Sequence, residues 1–273
     1  MFRQPPHIFI HIAKGYGLAL QLAKAIGLLI LDIPQAPPKR RDTLIRHWCC
    51  QVLNILNVRV ITKGSIPSPS SAAAMFVANH ISWVDILILS SVHRMYFVAK
   101  AEVRGWRIIG WIAARAGSFF LDRERGNIMP HLTQSLREGK CVCMFPEGTT
   151  TDGTTLKPFH GGLFQAAVDA QAPIWPVTIR YRNYDGTINR TPAFLRDQSL
   201  LRSIINILAQ DELYAELHFG KPISSQHESR EELVRGAEHA IASRLQLIGA
   251  PRPSKRLAGH SSRLSSHNPT TVA

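Results

Sequence analysis

With 273 residues, 45% of them hydrophobic, the chain can bury a sizeable core, and its length fits one α/β domain plus accessory segments better than two equal domains. Lysine and arginine outnumber aspartate and glutamate 32 to 19, a formal charge of +13, which points to polyanionic partners, either nucleic acid or an anionic membrane. The four cysteines, Cys49-Cys50 and Cys141-x-Cys143, match neither a zinc half-site nor a secreted disulfide framework, and read as buried thiols in a reducing compartment.

The chain opens with an apolar stretch from Ile8 to Ile33. A signal peptide is not expected, because the basic start is weak and no small-residue cleavage pattern precedes Pro34 and the Lys39, Arg40, Arg41 cluster. A spanning helix would bring Lys24 near mid-bilayer at about 2.5–3.5 kcal/mol. At about 100° per residue, His7, His11, Lys14, Gln21, Lys24 and Asp32 share a sector, with Leu18, Leu22, Ile26, Leu29 and Ile33 opposite or beside it. This pattern describes an interfacial helix. The bases after it suit an anionic leaflet, and Trp48 to Val60 is a second apolar segment able to dock beside it. The alternative is a helix packed on the chain's own core.

Gly64 to Ser71 reads as a Pro/Ser-rich connector. Beyond it short apolar runs alternate with helical patterns, as in an α/β sheet. Strands are expected near Met75–Ala78, Tyr96–Ala99, Ser118–Leu121, Cys141–Phe145, Ile174–Ile179 and Tyr214–Phe219. Helices are expected over Asp85–Ser91, Trp106–Ala116, Asn127–Glu138, Gly162–Ala170 and Ser229–Leu247. The organisation is thus membrane-associating helices over 1–63, a catalytic domain over 64–250, and a disordered basic tail over 251–273.

The sharpest local feature is Asn79-His80-Ile-Ser-Trp-Val-Asp85, directly after the first of these strands. Strand ends are where α/β sites form. Residues five apart on one helix diverge by about 140°, so His80 must sit on the turn if Asp85, in the first helical turn, is to meet it. The carboxylate would then accept the imidazole Nδ1–H and leave Nε2 as a base. By itself the pair is also what a satisfied turn histidine beside a helix cap looks like. Phe145-Pro146-Glu147-Gly148-Thr149 follows another apolar run; Pro146 stops the strand, and Gly148 permits a positive φ that can gather amide N–H groups around an anion. Gly117 to Arg123 is a strand leading to Asp122 and Arg123, where the arginine suits a phosphate or simply pairs with its neighbour in solvent. Pro173 to Val177 is an apolar strand interrupted by prolines.

In this order the four strings resemble the lysophospholipid acyltransferase family typified by 1-acyl-sn-glycerol-3-phosphate acyltransferases. The blocks are NHxxxxD at Asn79 to Asp85, GxxFxDR at Gly117 to Arg123, FPEGT at Phe145 to Thr149, and the proline-containing strand around Pro176; the likeness spans roughly residues 72 to 220. The resemblance implies a glycerolipid acyltransferase-like mixed sheet flanked by helices and a membrane-binding helical N-terminus. It implies His80 as general base, Asp85 as its partner, and Arg123, Glu147, Gly148 and Thr149 as acceptor head-group residues. The activity implied is transfer of a fatty acyl group from acyl-CoA or acyl carrier protein to a lysolipid hydroxyl at the cytoplasmic face of a membrane. No metal and no cofactor beyond the thioester co-substrate is called for. By family frequency the acceptor is 1-acylglycerol-3-phosphate, giving phosphatidic acid in phospholipid biosynthesis; the alternative is lyso-ornithine lipid. One departure bears on this choice. Where the family has a Pro-Phe-basic-basic-Gly stretch, this chain has Pro158-Phe159-His160-Gly161.

No GxSxG string occurs, and neither cysteine pair has an activating pattern, so direct transfer is expected over a covalent acyl-enzyme. The rival from another class is a basic nucleic-acid-binding protein. Arg94, Arg104, Arg107, Arg115, Arg123 and Arg125 are not interleaved with any reader motif, and an apolar N-terminus is foreign to that class.

Overall fold

The computed structural model describes residues 7–67, 73–121, 127–195 and 198–246. The strands are β1 (Val58–Gly64), β2 (Met75–Ala78), β3 (Tyr96–Lys100), β4 (Phe119–Leu121), β5 (Val142–Met144), β6 (Ile174–Arg182) and β7 (Leu213–Phe219). They form one seven-stranded sheet in the order β1-β7-β6-β2-β5-β3-β4. Every neighbouring pair is parallel except β6 and β7. The helices are α1 (His7–Gly27), α2 (Pro38–Ile55), α3 (Val84–Val92), α4 (Ala101–Arg104), α5 (Arg107–Arg115), α6 (Met129–Arg137), α7 (Phe164–Ala170), α8 (Leu200–Leu208) and α9 (Arg230–Arg244).

β2 is buried along its whole length, as a parallel strand covered on both faces must be. Its alternation divides the core in two. Phe76 and Ala78 join residues of α2, α3 and α8 on one face, while Met75 and Val77 join residues of α6, α7 and α9 on the other. A capping box fixes the start of α9, with Ser229 and Glu232 exchanging side-chain and backbone bonds.

Three elements differ from the sequence reading, one of them the short helix α4, which it did not include. β1 lies inside the segment read as membrane-associating helices, yet it pairs in register with β7 from Val58↔Leu213 to Gly64↔Phe219. The sheet therefore begins at Val58, ahead of the expected boundary at residue 64. α8 was not expected; it is capped by Ser199, whose side chain accepts from the Arg202 N–H. Residues 68–72 of the expected connector and the tail over 251–273 lie outside the described residues.

The N-terminal segment is helical through α1 and a π-helical turn, Leu28–Asp32. By length and composition Ile12–Asp32 is apolar enough to cross a membrane, with a mean hydropathy of 1.3. Its orientation corrects the helical-sector expectation. Leu18 packs on the core and Leu29 and Ile33 are buried, while Ile12, Tyr16, Leu20, Ile30 and Leu31 face outward. Two polar bonds accompany this packing: Lys14 Nζ donates to the Leu208 and Gln210 carbonyls, and Trp48 Nε1 donates to the Gln21 carbonyl, while Lys24 and Asp32 stay exposed.

Candidate active site

Parallel strands β2 and β5 are neighbours, so the turns that follow them leave the sheet at the same edge. The β2–β6 ladder ends at Ala78↔Val177. Asn79 then stands in for one more backbone pair: its side-chain amide donates to the Ile179 carbonyl at 3.0 Å and its oxygen accepts the Ile179 N–H at 2.7 Å. The chain is thereby released from the sheet one residue before His80 while still tied to β6.

His80 occupies the turn, and Asp85 is the second residue of α3, as the spacing required. His80 Nδ1 lies 2.8 Å from Asp85 Oδ2. That oxygen also accepts the Ile81 and Ser82 amides at 2.7 and 2.9 Å, while Oδ1 accepts the Tyr181 hydroxyl at 2.6 Å. Asp85 is wholly buried, and every group around its carboxylate is a donor, so Nδ1 carries the proton and Nε2 is left as the basic nitrogen. The imidazole is not sealed away: its side chain is 19% exposed. It stacks on Phe145 with ring centroids 3.9 Å apart and planes 13° from parallel. A carboxylate at one edge and an aromatic face below together set the ring's direction.

Glu147 lies at the adjacent turn and is buried. Its Oε1 accepts the His80 N–H and its Oε2 the Lys157 N–H, each at 2.9 Å. Burial raises the carboxyl above the ordinary glutamate range, and the two amide bonds and nearby His80 and Lys157 oppose that rise. With both oxygens committed to backbone amides, Glu147 braces the histidine turn against the segment that follows β5. The sequence motif had suggested a head-group ligand.

Gly148 has φ +65°, the left-handed conformation expected of it, and a Cβ there would come within 3.1 Å of His160 Cδ2. Its own N–H is spent on the Phe145 carbonyl within the turn. The anion-binding role read for this amide is therefore not open to it. Thr149 follows on the same turn and is half-buried. Two further ties close the site: the Thr151 N–H donates to the His80 carbonyl, and the Phe194 N–H donates to the Ile81 carbonyl. Thr150 Oγ1 bonds the Phe194 carbonyl. Arg123, with Asp122, lies outside the described residues.

The buried thiols, Cys49, Cys141 and Cys143, are poor nucleophiles in this setting. Burial pushes Cys49 up to about 12, and it raises Cys143, next to Asp85, further still. Sequence reasoning missed Tyr181, whose phenol reaches Asp85 from 96 positions away. Its only signal was a tyrosine among apolar residues facing the core from β6.

The acyltransferase family model matches residues 57–180. The chain is 35% identical to the lyso-ornithine lipid O-acyltransferase of Pseudomonas aeruginosa, an alignment covering 89% of this chain and 92% of that protein. It is 39% identical to the 1-acyl-sn-glycerol-3-phosphate acyltransferase of Neisseria meningitidis serogroup B over 67% of this chain and 72% of that one. The fold matches the crystal structure of the 1-acyl-sn-glycerophosphate acyltransferase from Thermotoga maritima with a TM-score of 0.67. That alignment has 18% identity and covers 90% of this chain and 97% of the other.

Proposed function

The chain belongs to the acyltransferase family and acts on lysolipids, and from that premise we propose that His80 is the general base that deprotonates the acceptor hydroxyl. The observation that carries this is the exposed imidazole whose Nδ1 is held by the buried Asp85 at 2.8 Å, leaving Nε2 for substrate. The hydroxyl oxygen attacks the thioester carbon as its proton passes to Nε2. The buried carboxylate stabilises the imidazolium that results. The tetrahedral intermediate then collapses with loss of the C–S bond, and the imidazolium proton goes to the departing thiolate. Products are the acylated lipid and a free carrier thiol, acyl-CoA and acyl carrier protein being the two donors the scheme admits. Negative charge on the carbonyl oxygen needs donors nearby. With the Gly148 amide engaged, we assign that part to the amides of Thr149 and Thr150. Arg123 and Thr149 keep the head-group roles that the sequence pattern gives them, and Gly148 serves them only by allowing the left-handed turn.

Both acceptors fit this chemistry. 1-Acylglycerol-3-phosphate is supported by the Neisseria relative, whose name gives that substrate. Two observations favour lyso-ornithine lipid: two relatives aligned over more than nine-tenths of their own length carry that name, and His160 stands where a phosphate-binding pattern has a fixed cation. The protein is membrane-associated, and we place it on the cytoplasmic face, with Ile12, Tyr16 and Leu20 toward lipid and the charge of +13 toward an anionic leaflet. The basic character then needs no nucleic acid.

The test is product mass spectrometry with purified protein in detergent, a labelled acyl thioester and a panel of lysolipids. Acylated ornithine lipid is expected in excess of phosphatidic acid. The reverse ratio assigns the other acceptor, and thioester consumption without any acylated lipid defeats the proposal. Removal of residues 1–33 is expected to move the protein from the membrane to the soluble fraction, and unchanged fractionation counts against the anchor.

A further inference from the structure

We propose that Tyr181 is a positioning residue for acyl transfer: its hydroxyl, bonded to Asp85 Oδ1, locks the carboxylate in the rotation that aims the His80 imidazole. The proposal rests on the reading of His80 as the general base.

The geometry singles this phenol out. Asp85 Oδ2 serves His80 Nδ1 and two backbone amides together. Among the described residues Oδ1 has one side-chain partner, the Tyr181 hydroxyl at 2.6 Å. A carboxylate held only through Oδ2 can pivot about that oxygen, which turns its lone pairs away from the imidazole N–H and loosens the ring's aim. The phenol supplies the second fixed point. The bond is charge-assisted, and both partners are completely buried, so water offers no substitute for it. Burial and the adjacent Asp85 charge raise the phenol well above its ordinary range, so it stays protonated as a donor at any working pH. The mount is rigid. Tyr181 belongs to β6, whose flanking residues pair with β7 at Arg180↔Glu216 and Arg182↔Tyr214, and the same strand grips Asn79 through Ile179. One strand thus fixes the start of the catalytic turn through Asn79 and its carboxylate through Tyr181.

Around the dyad stand Asp85 from α3, Glu147 and Phe145 from the turn after β5, Tyr181 from β6, Cys143 from β5, where its neutral thiol lies beside Asp85, and the buried Ser82 hydroxyl, which bonds with the Tyr181 phenol. Among the described residues the other side chains make no hydrogen bond to Oδ1.

The experiment is a double-mutant cycle on the purified full chain. Tyr181→Phe keeps the ring and removes the donor; kcat is expected to fall on the order of tenfold, with KM for the lysolipid within about twofold. In an Asp85→Asn background the same change is expected to alter kcat by less than about twofold, because the tyrosine acts only through that carboxylate. A wild-type kcat for Tyr181→Phe overturns the proposal, as does a tenfold loss that recurs in full on top of Asp85→Asn, which marks a packing role. If Tyr181→Phe does not fold, fluorotyrosine at position 181 keeps the shape and strengthens the donor. The His80 Nδ1–H NMR resonance is then expected to shift, and an unmoved resonance overturns the proposal. His80→Ala serves as the control. If it retains turnover the base assignment fails, whereas an inactive His80→Ala beside a fully active Tyr181→Phe defeats the present inference alone.

Discussion

The two buried carboxylates at the end of the sheet, Asp85 and Glu147, lie on neighbouring turns and both bond to the His80 residue, yet they hold it in different ways. Asp85 takes the imidazole itself, and its remaining capacity is filled by two amides and a phenol. Glu147 takes only backbone, the amides of His80 and Lys157. One carboxylate therefore faces a group whose charge changes during the reaction. The other faces groups whose charge never changes. The difference teaches that burial of an acid in a motif does not by itself mean chemistry: the partner decides.

The largest effect that can test this contrast comes from the ring that the two acids share. His80→Ala is expected to lower turnover by about 10²–10⁴-fold while leaving the fold intact, because Asp85 keeps its other three donors. Near-normal turnover would remove the histidine from the chemistry and the contrast with it. Asp85→Asn comes next, with a loss in kcat of about 10²–10⁴-fold, by analogy with a catalytic histidine left in the wrong tautomer. Steady-state kinetics beside circular dichroism separates that loss from unfolding.

Glu147→Gln sharpens the comparison from the other side. Glutamine retains one acceptor and turns an N–H₂ toward the second amide, so one backbone donor loses its partner at a cost of about 1–3 kcal/mol of stability, partly offset because no charge is buried. Thermal unfolding should show the loss, and kcat should fall far less than with Asp85→Asn. A variant as inactive as Asp85→Asn but fully stable would place Glu147 against substrate and break the distinction.

Much of the site could be read from the sequence because its parts are local. Asn79 to Asp85 spans one strand end, one turn and one helix start, and the five-residue spacing alone demanded that His80 leave the helix; β2 was expected at Met75–Ala78 and lies there. What could not be read depends on distant pairing. Val58 to Val60 continues an apolar run that a helix would equally explain, and only β7, some 150 residues on, makes it a strand. The outward face of α1 was not legible because an almost wholly apolar helix offers apolar residues on every side, and its packing against α2 and α8 joins distant parts of the chain. Tyr181 and the bracing bonds of Glu147 are of the same kind. Residue type announced a donor and an acid, but the partner lay elsewhere in the chain.

The smallest expected effect is also the one that most directly separates the two acids. Burial, the largest influence on Glu147, holds its carboxyl above the ordinary glutamate range, so the native state binds that proton more tightly than the unfolded chain does. Its contribution to stability is therefore fully present below the ordinary value and declines as pH rises through the window up to the raised one. Relative to the wild type, Glu147→Gln lacks this titration, so its stability deficit should be greatest at the acidic end of that window and shrink toward neutrality. Denaturant unfolding of both proteins across the window measures the slope. A deficit that instead grows with pH would mean that the two amides stabilise the ionised form more than burial opposes it. Glu147 would then be a favoured anion, and the separation between a reacting and a bracing carboxylate would rest on the imidazole contact alone.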